Sequence, residues 1–173
     1  MRELADSKRI EQFMRELGRA VPVEGRVYLT GGATAVLYGW RDTTIDVDIK
    51  LIPDRDEILR EIPRLKEALN LNVELAAPSD FIPLPPGWED RSPLIRREGK
   101  LSFHHFDPIA QALSKIERGH EQDIYDVREM IAAGLVNPTE ALAHFEAIKP
   151  ELYRFPAIDP ATFRKSVEEL LSE

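Results

Sequence analysis

The chain has no cysteine among its 173 residues. Disulfides, thiolate metal sites and cysteine nucleophiles are therefore excluded. It lacks any apolar run approaching the ~18–20 residues that a membrane-crossing helix needs, and no apolar stretch near Met1 has the form of a signal peptide. These absences predict a soluble, cytoplasmic protein with no membrane partner. Two common catalytic signatures are also missing. There is no Gly-x-x-x-x-Gly-Lys phosphate loop and no serine in a nucleophile elbow, which argues against P-loop and hydrolase chemistry. Histidines are few, four in all, and poorly placed for metal: His104 and His105 are adjacent and face opposite sides of any strand, while His120 and His144 have no partner at ligand spacing. Positive charge is scarce too. A net charge of −8 argues against broad, non-specific binding to nucleic acid, which depends on neutralising phosphates. The deficit is uneven, with 7 basic and 13 acidic residues over 101–173 but 8 of each over 1–50. A local basic patch thus remains open, and Arg91, Arg96, Arg97 and Lys100 are its densest cluster, unless each is a solvated loop charge.

What the chain does contain is concentrated between residues 27 and 50. Val27-Tyr28-Leu29-Thr30 reads as a short buried strand. Gly31-Gly32 then permits φ > 0 and close backbone approach, and Ala33 to Tyr38 reads as the first turns of a helix. A strand, a glycine turn and a helix start together offer free N–H groups to an anion. Thr44 to Lys50 alternates polar and apolar at period two, so it predicts a strand with Asp46 and Asp48 on one face and Ile45, Val47 and Ile49 on the other. Two carboxylates so placed are close enough to hold one hard cation such as Mg²⁺.

The remaining elements follow from periodicity and punctuation. Ile10, Phe13, Met14 and Leu17 predict an amphipathic helix over roughly 5–20, ending before Pro22. Asp54 and Glu57 form a capping-box-like start to a helix carrying Ile58, Ile62, Leu65 and Leu69, which Pro63 kinks or divides. Residues 71–75 predict a strand with Val73 and Leu75 on the apolar face and Glu74 opposite. Residues 76–99 hold five prolines together with Phe81, Ile82, Leu84 and Trp88, and read as an ordered irregular excursion. Residues 101–106 are another strand candidate. Asp107-Pro108 starts a helix with Ile109, Ala112, Leu113 and Ile116 inside and Gln111, Lys115 and Arg118 on the other face. A further helix buries Ile124, Val127 and Ile131 and closes at Gly134. Asn137-Pro138 and Asp159-Pro160 repeat the cap-and-proline device. The fold class is α/β (α+β): a small mixed sheet with packed helices over residues 1–106, and a helical C-terminal subdomain over 107–173 of the same compact unit.

The glycine pair followed by Asp-x-Asp, with Arg41 and Thr43-Thr44 just before the first acid, resembles the first motif of the nucleotidyltransferase superfamily, the fold of DNA polymerase β, and within it the AbiEii toxin branch. The resemblance covers roughly residues 25–130. It implies an NTP substrate held at Gly31, Gly32, Arg41 and Thr44, and a two-Mg²⁺ site on Asp46 and Asp48. It also implies a third acid on a neighbouring strand, for which Glu74 is the choice and Asp80 the lesser one. Lys115 falls where that branch carries a lysine contacting nucleotide phosphates, which implies a catalytic role in releasing pyrophosphate; Arg118 is implied as a further nucleotide-binding residue, with Asp123 and Asp126 following. The branch often has Lys-Asp where this chain has Gln122-Asp123, so Asp123 is the weaker carry-over. The activity implied is transfer of a nucleoside monophosphate to a hydroxyl of a small molecule, a protein or an RNA such as tRNA, in a toxin with an antitoxin partner. The rival expectation is a non-catalytic nucleotide-binding or regulatory module, and a third is a plain strand face.

Overall fold

A computed structural model describes residues 3–173 of the chain. The first helix, α1 (Ser7–Ala20), forms where the periodicity predicts it. Its start is fixed by Asp6, whose side chain accepts the Arg9 N–H at 2.9 Å, satisfying one of the donors a helix leaves unpaired at that end. Five strands make one mixed sheet: β1 (Gly25–Thr30), β2 (Asp46–Ile52), β3 (Asn72–Leu75), β4 (Leu94–Glu98) and β5 (Leu101–His105), in the order β3-β2-β1-β5-β4. β1 runs antiparallel to β2 and parallel to β5, β2 runs parallel to β3, and β4–β5 is a hairpin. The mixed α/β class expected from the sequence is the one observed.

Two compact units emerge. The first comprises residues 1–77 and 92–105, with all five strands, α1, α2 (Gly32–Tyr38), α3 (Asp56–Leu59) and α4 (Glu61–Leu69). Its core joins Ile10, Phe13, Met14 and Leu17 of α1 to Val27 and Leu29 of β1, Val47, Ile49 and Leu51 of β2, and Leu101 and Phe103 of β5. Alternation along β2 is strict, and the residues between, Asp46, Asp48, Lys50 and Ile52, are half-buried on the opposite face. α1 approaches the hairpin so closely that a Cβ on Gly18 would stand 2.4 Å from Glu98 Cβ. The second unit comprises residues 78–91 and 106–173: a 3-10 turn (Pro78–Asp80), α5 (Pro108–Arg118), α6 (Glu121–Ala132), α7 (Pro138–Ile148), a 3-10 helix (Lys149–Arg154) and α8 (Pro160–Leu171). Asp107, Asn137 and Asp159 cap α5, α7 and α8 with side-chain acceptors, each followed by proline.

Several local expectations are corrected. Ile45 and Leu75 are 68% and 57% exposed, so neither joins the apolar face assigned to it; each sits at a strand end where the sheet no longer covers it. The Asp54 capping box is not made. α3 follows Arg55 with no side-chain cap, and the break falls at Arg60, leaving Pro63 in the first turn of α4, where a missing N–H costs nothing. Leu94–Glu98, placed in the irregular segment, is the edge strand β4. α5 is buried on nearly every side, Gln111 and Lys115 included. The inward face of α6 is Asp123, Asp126, Val127 and Met130, whereas Ile124 and Ile131 are only half-buried.

Candidate active site

In the first unit, the glycine turn, the Asp-x-Asp strand and β3 meet at one end of the sheet. Thr30, the last residue of β1, pairs with Asp48; Asp48 in turn pairs with Glu74 of β3, and Asp46 pairs with Asn72. Because side chains alternate across a strand, this register puts Asp46, Asp48, Asn72 and Glu74 on one face. One carboxylate oxygen from each of Asp46, Asp48 and Glu74 lies within 4.8 Å of the others. Asn72 Nδ2 donates to Asp46 Oδ1 and, at 3.1 Å, to Glu74 Oε1, fixing two of the three acids relative to each other. Three hard oxygen donors converging from adjacent strands suit a divalent cation such as Mg²⁺, which takes carboxylates and completes its shell with water or phosphate oxygens. A depression of about 590 Å³ lies along α4 and β3, lined by Ile62, Lys66, Val73, Glu74 and Leu75, so that of the three acids Glu74 alone borders it.

The two glycines serve different ends. Gly31 has φ +65, and a Cβ there would lie 3.2 Å from Asp48 Oδ2; the turn thus runs its backbone past the acids in a conformation that favours glycine. Gly32 is the first residue of α2 and has no positive φ. A Cβ there would stand 2.0 Å from Thr44 Oγ1 and 3.4 Å from Arg41 Nη1. Gly32 is therefore glycine because Thr44 and the Arg41 guanidinium pack against it. Thr44 is buried, donates its hydroxyl to the Asp46 carbonyl at 3.0 Å, and exchanges backbone hydrogen bonds with Ala5. Gly31, Gly32, Arg41, Thr44, Asp46, Asp48 and Glu74 are thus brought together in one unit.

The other candidates lie in the second unit. Lys115 is 5% exposed, and its Nζ donates to Asp126 Oδ2 at 2.9 Å with Asp123 Oδ1 at 3.8 Å. Arg118 Nη2 binds Asp123, and Gln122 Nε2 reaches Asp126 at 3.3 Å. The Lys-Asp-Asp order of the sequence is thus a buried network tying α5 to α6, with Asp123 Oδ2 as a buried acceptor lacking a partner among the described residues. The expected Arg91–Lys100 basic cluster divides. Arg91 binds the buried Asp107 at 2.7 Å in the second unit, Arg96 pairs with Glu98 and Glu11, and Arg97 and Lys100 stay exposed.

Two contacts escaped the sequence reading. Asn72 was signalled only by its period-two relation to Glu74. His105 is buried at the end of β5, with Nδ1 3.0 Å from Thr34 Oγ1 and its ring against Tyr38, so it anchors α2 just behind the glycine turn. Burial lowers its pKa to about 4, and the imidazole is neutral at physiological pH. The expectation that His104 and His105 diverge is met: His104 instead stacks on Tyr28 and contacts Ser102.

This geometry agrees with the comparison to known families, in which residues 7–146 match the family described as a nucleotidyltransferase of unknown function (DUF6036). The chain belongs to this family. Within the nucleotidyltransferase match fall the glycine turn, the acidic triad and the Lys115 network. No curated protein and no solved structure matches the chain. The family name supports a nucleotide substrate, and among the described residues no helix is long and apolar enough to cross a membrane.

Proposed function

We propose that the chain is a Mg²⁺-dependent nucleotidyltransferase that moves a nucleoside monophosphate from an NTP to an acceptor hydroxyl. The observation that carries this reading is the convergence of Asp46, Asp48 and Glu74 within 4.8 Å, beside a glycine turn, in a chain of this family. Asp46, Asp48 and Glu74 would hold Mg²⁺, which when bound neutralises triphosphate charge and lowers the pKa of the acceptor hydroxyl. The Gly31-Gly32 backbone brings the phosphates past the acids, and Arg41, beside Gly32, supplies positive charge to them. Glu74, the most exposed of the three acids, takes the acceptor proton. The acceptor oxygen then bonds to the α-phosphorus as the bond to the β-phosphate oxygen breaks, and pyrophosphate leaves. The likeness of Arg41, Thr43 and Thr44, ahead of Asp46, to the AbiEii branch supports a toxin role with an antitoxin partner.

The test is transfer of label from each α-labelled NTP to total RNA, to protein or to small hydroxyl compounds. Wild type with Mg²⁺ is expected to label one acceptor class, and Asp46→Asn to lose transfer by at least ~100-fold, the scale of a lost transition-state electrostatic contact, with its circular dichroism unchanged. Full activity in Asp46→Asn would overturn the assignment.

A further inference from the structure

A second feature of the first unit carries charge of the opposite sign. At the end of the sheet away from the acids lies an open depression of about 850 Å³. Its floor is a row across four strands: Ile52 of β2 pairs with Arg26 of β1, Arg26 with Ser102 of β5, and Ser102 with Arg97 of β4. Arg55 and Lys100 stand on the rim, and Glu24 is the one acid in the lining. Four cations against one carboxylate is a marked local excess in a chain of net charge −8. Among the described residues, Arg55, Arg97 and Lys100 make no salt bridge, whereas Arg96 and Arg91 do. His104, further along the same face, has its pKa lowered chiefly by burial, against the raising effect of its hydrogen bond with the Ser92 carbonyl, and in smaller part by the charges of Arg26 and Arg97.

The row extends roughly 14 Å, three strand spacings, too wide for one phosphate group to engage at both ends. No aromatic ring lines it, so it offers no platform on which a base stacks. Cations without stacking rings recognise a phosphodiester backbone independently of sequence. Ile52, Lys50 and Asp48 share one face of β2, and Ile52 lies about 13 Å from Asp48 at the usual strand rise. A strand of a few nucleotides spans that distance.

We propose that this depression is the docking surface for the phosphate backbone of a polynucleotide acceptor, which presents its terminal hydroxyl toward the acidic triad. The proposal rests on the nucleotidyltransferase reading above and adds the acceptor class to it.

The experiment measures fluorescence anisotropy of an end-labelled single-stranded RNA, and of DNA of the same sequence, against the full chain over a series of salt concentrations. Wild type is expected to bind both, more weakly as salt rises. Arg97→Glu with Lys100→Glu is expected to weaken binding at least ~10-fold and to reduce the log–log salt slope by about 2, one for each lost phosphate contact. Arg154→Glu with Lys165→Glu, exposed and distant in sequence, makes the same change in net charge and is expected to leave affinity within ~2-fold. Equal weakening by both double variants, or none from the first, overturns the proposal. So does displacement of the RNA by inorganic pyrophosphate at matching phosphate concentration, which identifies a small-anion site. Circular dichroism checks the fold, and Arg55→Ala, expected to weaken binding in the same direction, provides a milder variant. Asp46→Asn separates the two readings. It is expected to lose magnesium-nucleotide binding while still binding RNA with the wild-type salt slope. If it loses neither, the triad assignment fails and the docking surface stands; if nucleotide binding is lost but the Arg97/Lys100 variant binds RNA normally, the docking surface fails alone.

Discussion

Gly31 and Gly32 occupy neighbouring positions under different constraints. A side chain at Gly31 meets an unfavourable backbone region, φ 65 and ψ −130, at a cost of about 1–3 kcal/mol. A side chain at Gly32 meets Thr44, 2.6 Å from its Cβ as well as 2.0 Å from its hydroxyl, an overpacking cost of about 1–3 kcal/mol. Both Gly31→Ala and Gly32→Ala are therefore expected to lower the urea midpoint. Only Gly32→Ala is expected to be relieved by Thr44→Gly, since that second change opens space but leaves φ alone. Equal rescue of both, or of neither, contradicts the division. From the sequence the pair read as one phosphate turn with φ > 0; that Gly32 is a packing contact with a residue twelve positions on is a tertiary fact, invisible to local pattern. Asp46 and Asp48 were legible because strand alternation fixes their face whatever the fold around them. Glu74 was legible for the same reason, but its registry opposite Asp48 depends on β2–β3 pairing, which no local signal specifies.

Helices carry the larger surprises. The apolar residues of α5 repeat at helical spacing, which predicts an amphipathic helix with Lys115 on the face opposite the core. Lys115 is instead buried with Asp126 at 0% exposure, and the sequence signal for this was the pair of acids on α6 at Asp123 and Asp126. Lys115→Met leaves Asp126 buried without its cation and is expected to cost about 3–5 kcal/mol, read by urea denaturation, with much of the loss recovered when Asp126→Leu is added. Loss of activity in Lys115→Met without loss of stability instead returns Lys115 to a direct role with phosphate. α2 has its own anchor in His105. Burial depresses its folded pKa to about 4 from 6.5, so between these values the unfolded chain binds a proton that the folded chain does not. Stability contributed by the neutral imidazole is therefore full above pH 6.5 and falls as pH drops toward 4, by about 2 kcal/mol at pH 5. His105→Gln, which cannot titrate, is expected to flatten the decline between pH 7 and pH 5, and an unchanged slope excludes His105 as its source.

At the scale of the molecule, the first unit's polar sheet face carries acid at one end and base at the other, Asp46, Asp48 and Glu74 against Arg26, Arg55, Arg97 and Lys100. Composition alone gave only the net value, in which this separation cancels. A charge cluster of like sign stores repulsion, about 1 kcal/mol for a pair 4 Å apart in water and more where solvent is partly excluded. A cation that binds only the folded protein removes that repulsion and adds stability by mass action, about 2.7 kcal/mol at a ligand concentration 100 times Kd. For a chain of this length each kcal/mol moves Tm by roughly 2–4 °C. Mg²⁺ with a non-hydrolysable NTP is thus expected to raise the wild-type Tm by about 5–10 °C in differential scanning fluorimetry. Glu74→Gln, at an exposed position that contributes little packing, is expected to leave the apo Tm unchanged or higher, because one of three converging charges is gone, and to lose most of the ligand-dependent rise. The Arg97→Glu, Lys100→Glu variant is expected to keep the full rise, since its cations lie at the other end of the sheet. An absent shift in wild type, or an equal shift in Glu74→Gln, means that the three acids do not form a metal–nucleotide site and that their convergence is a property of the sheet register alone.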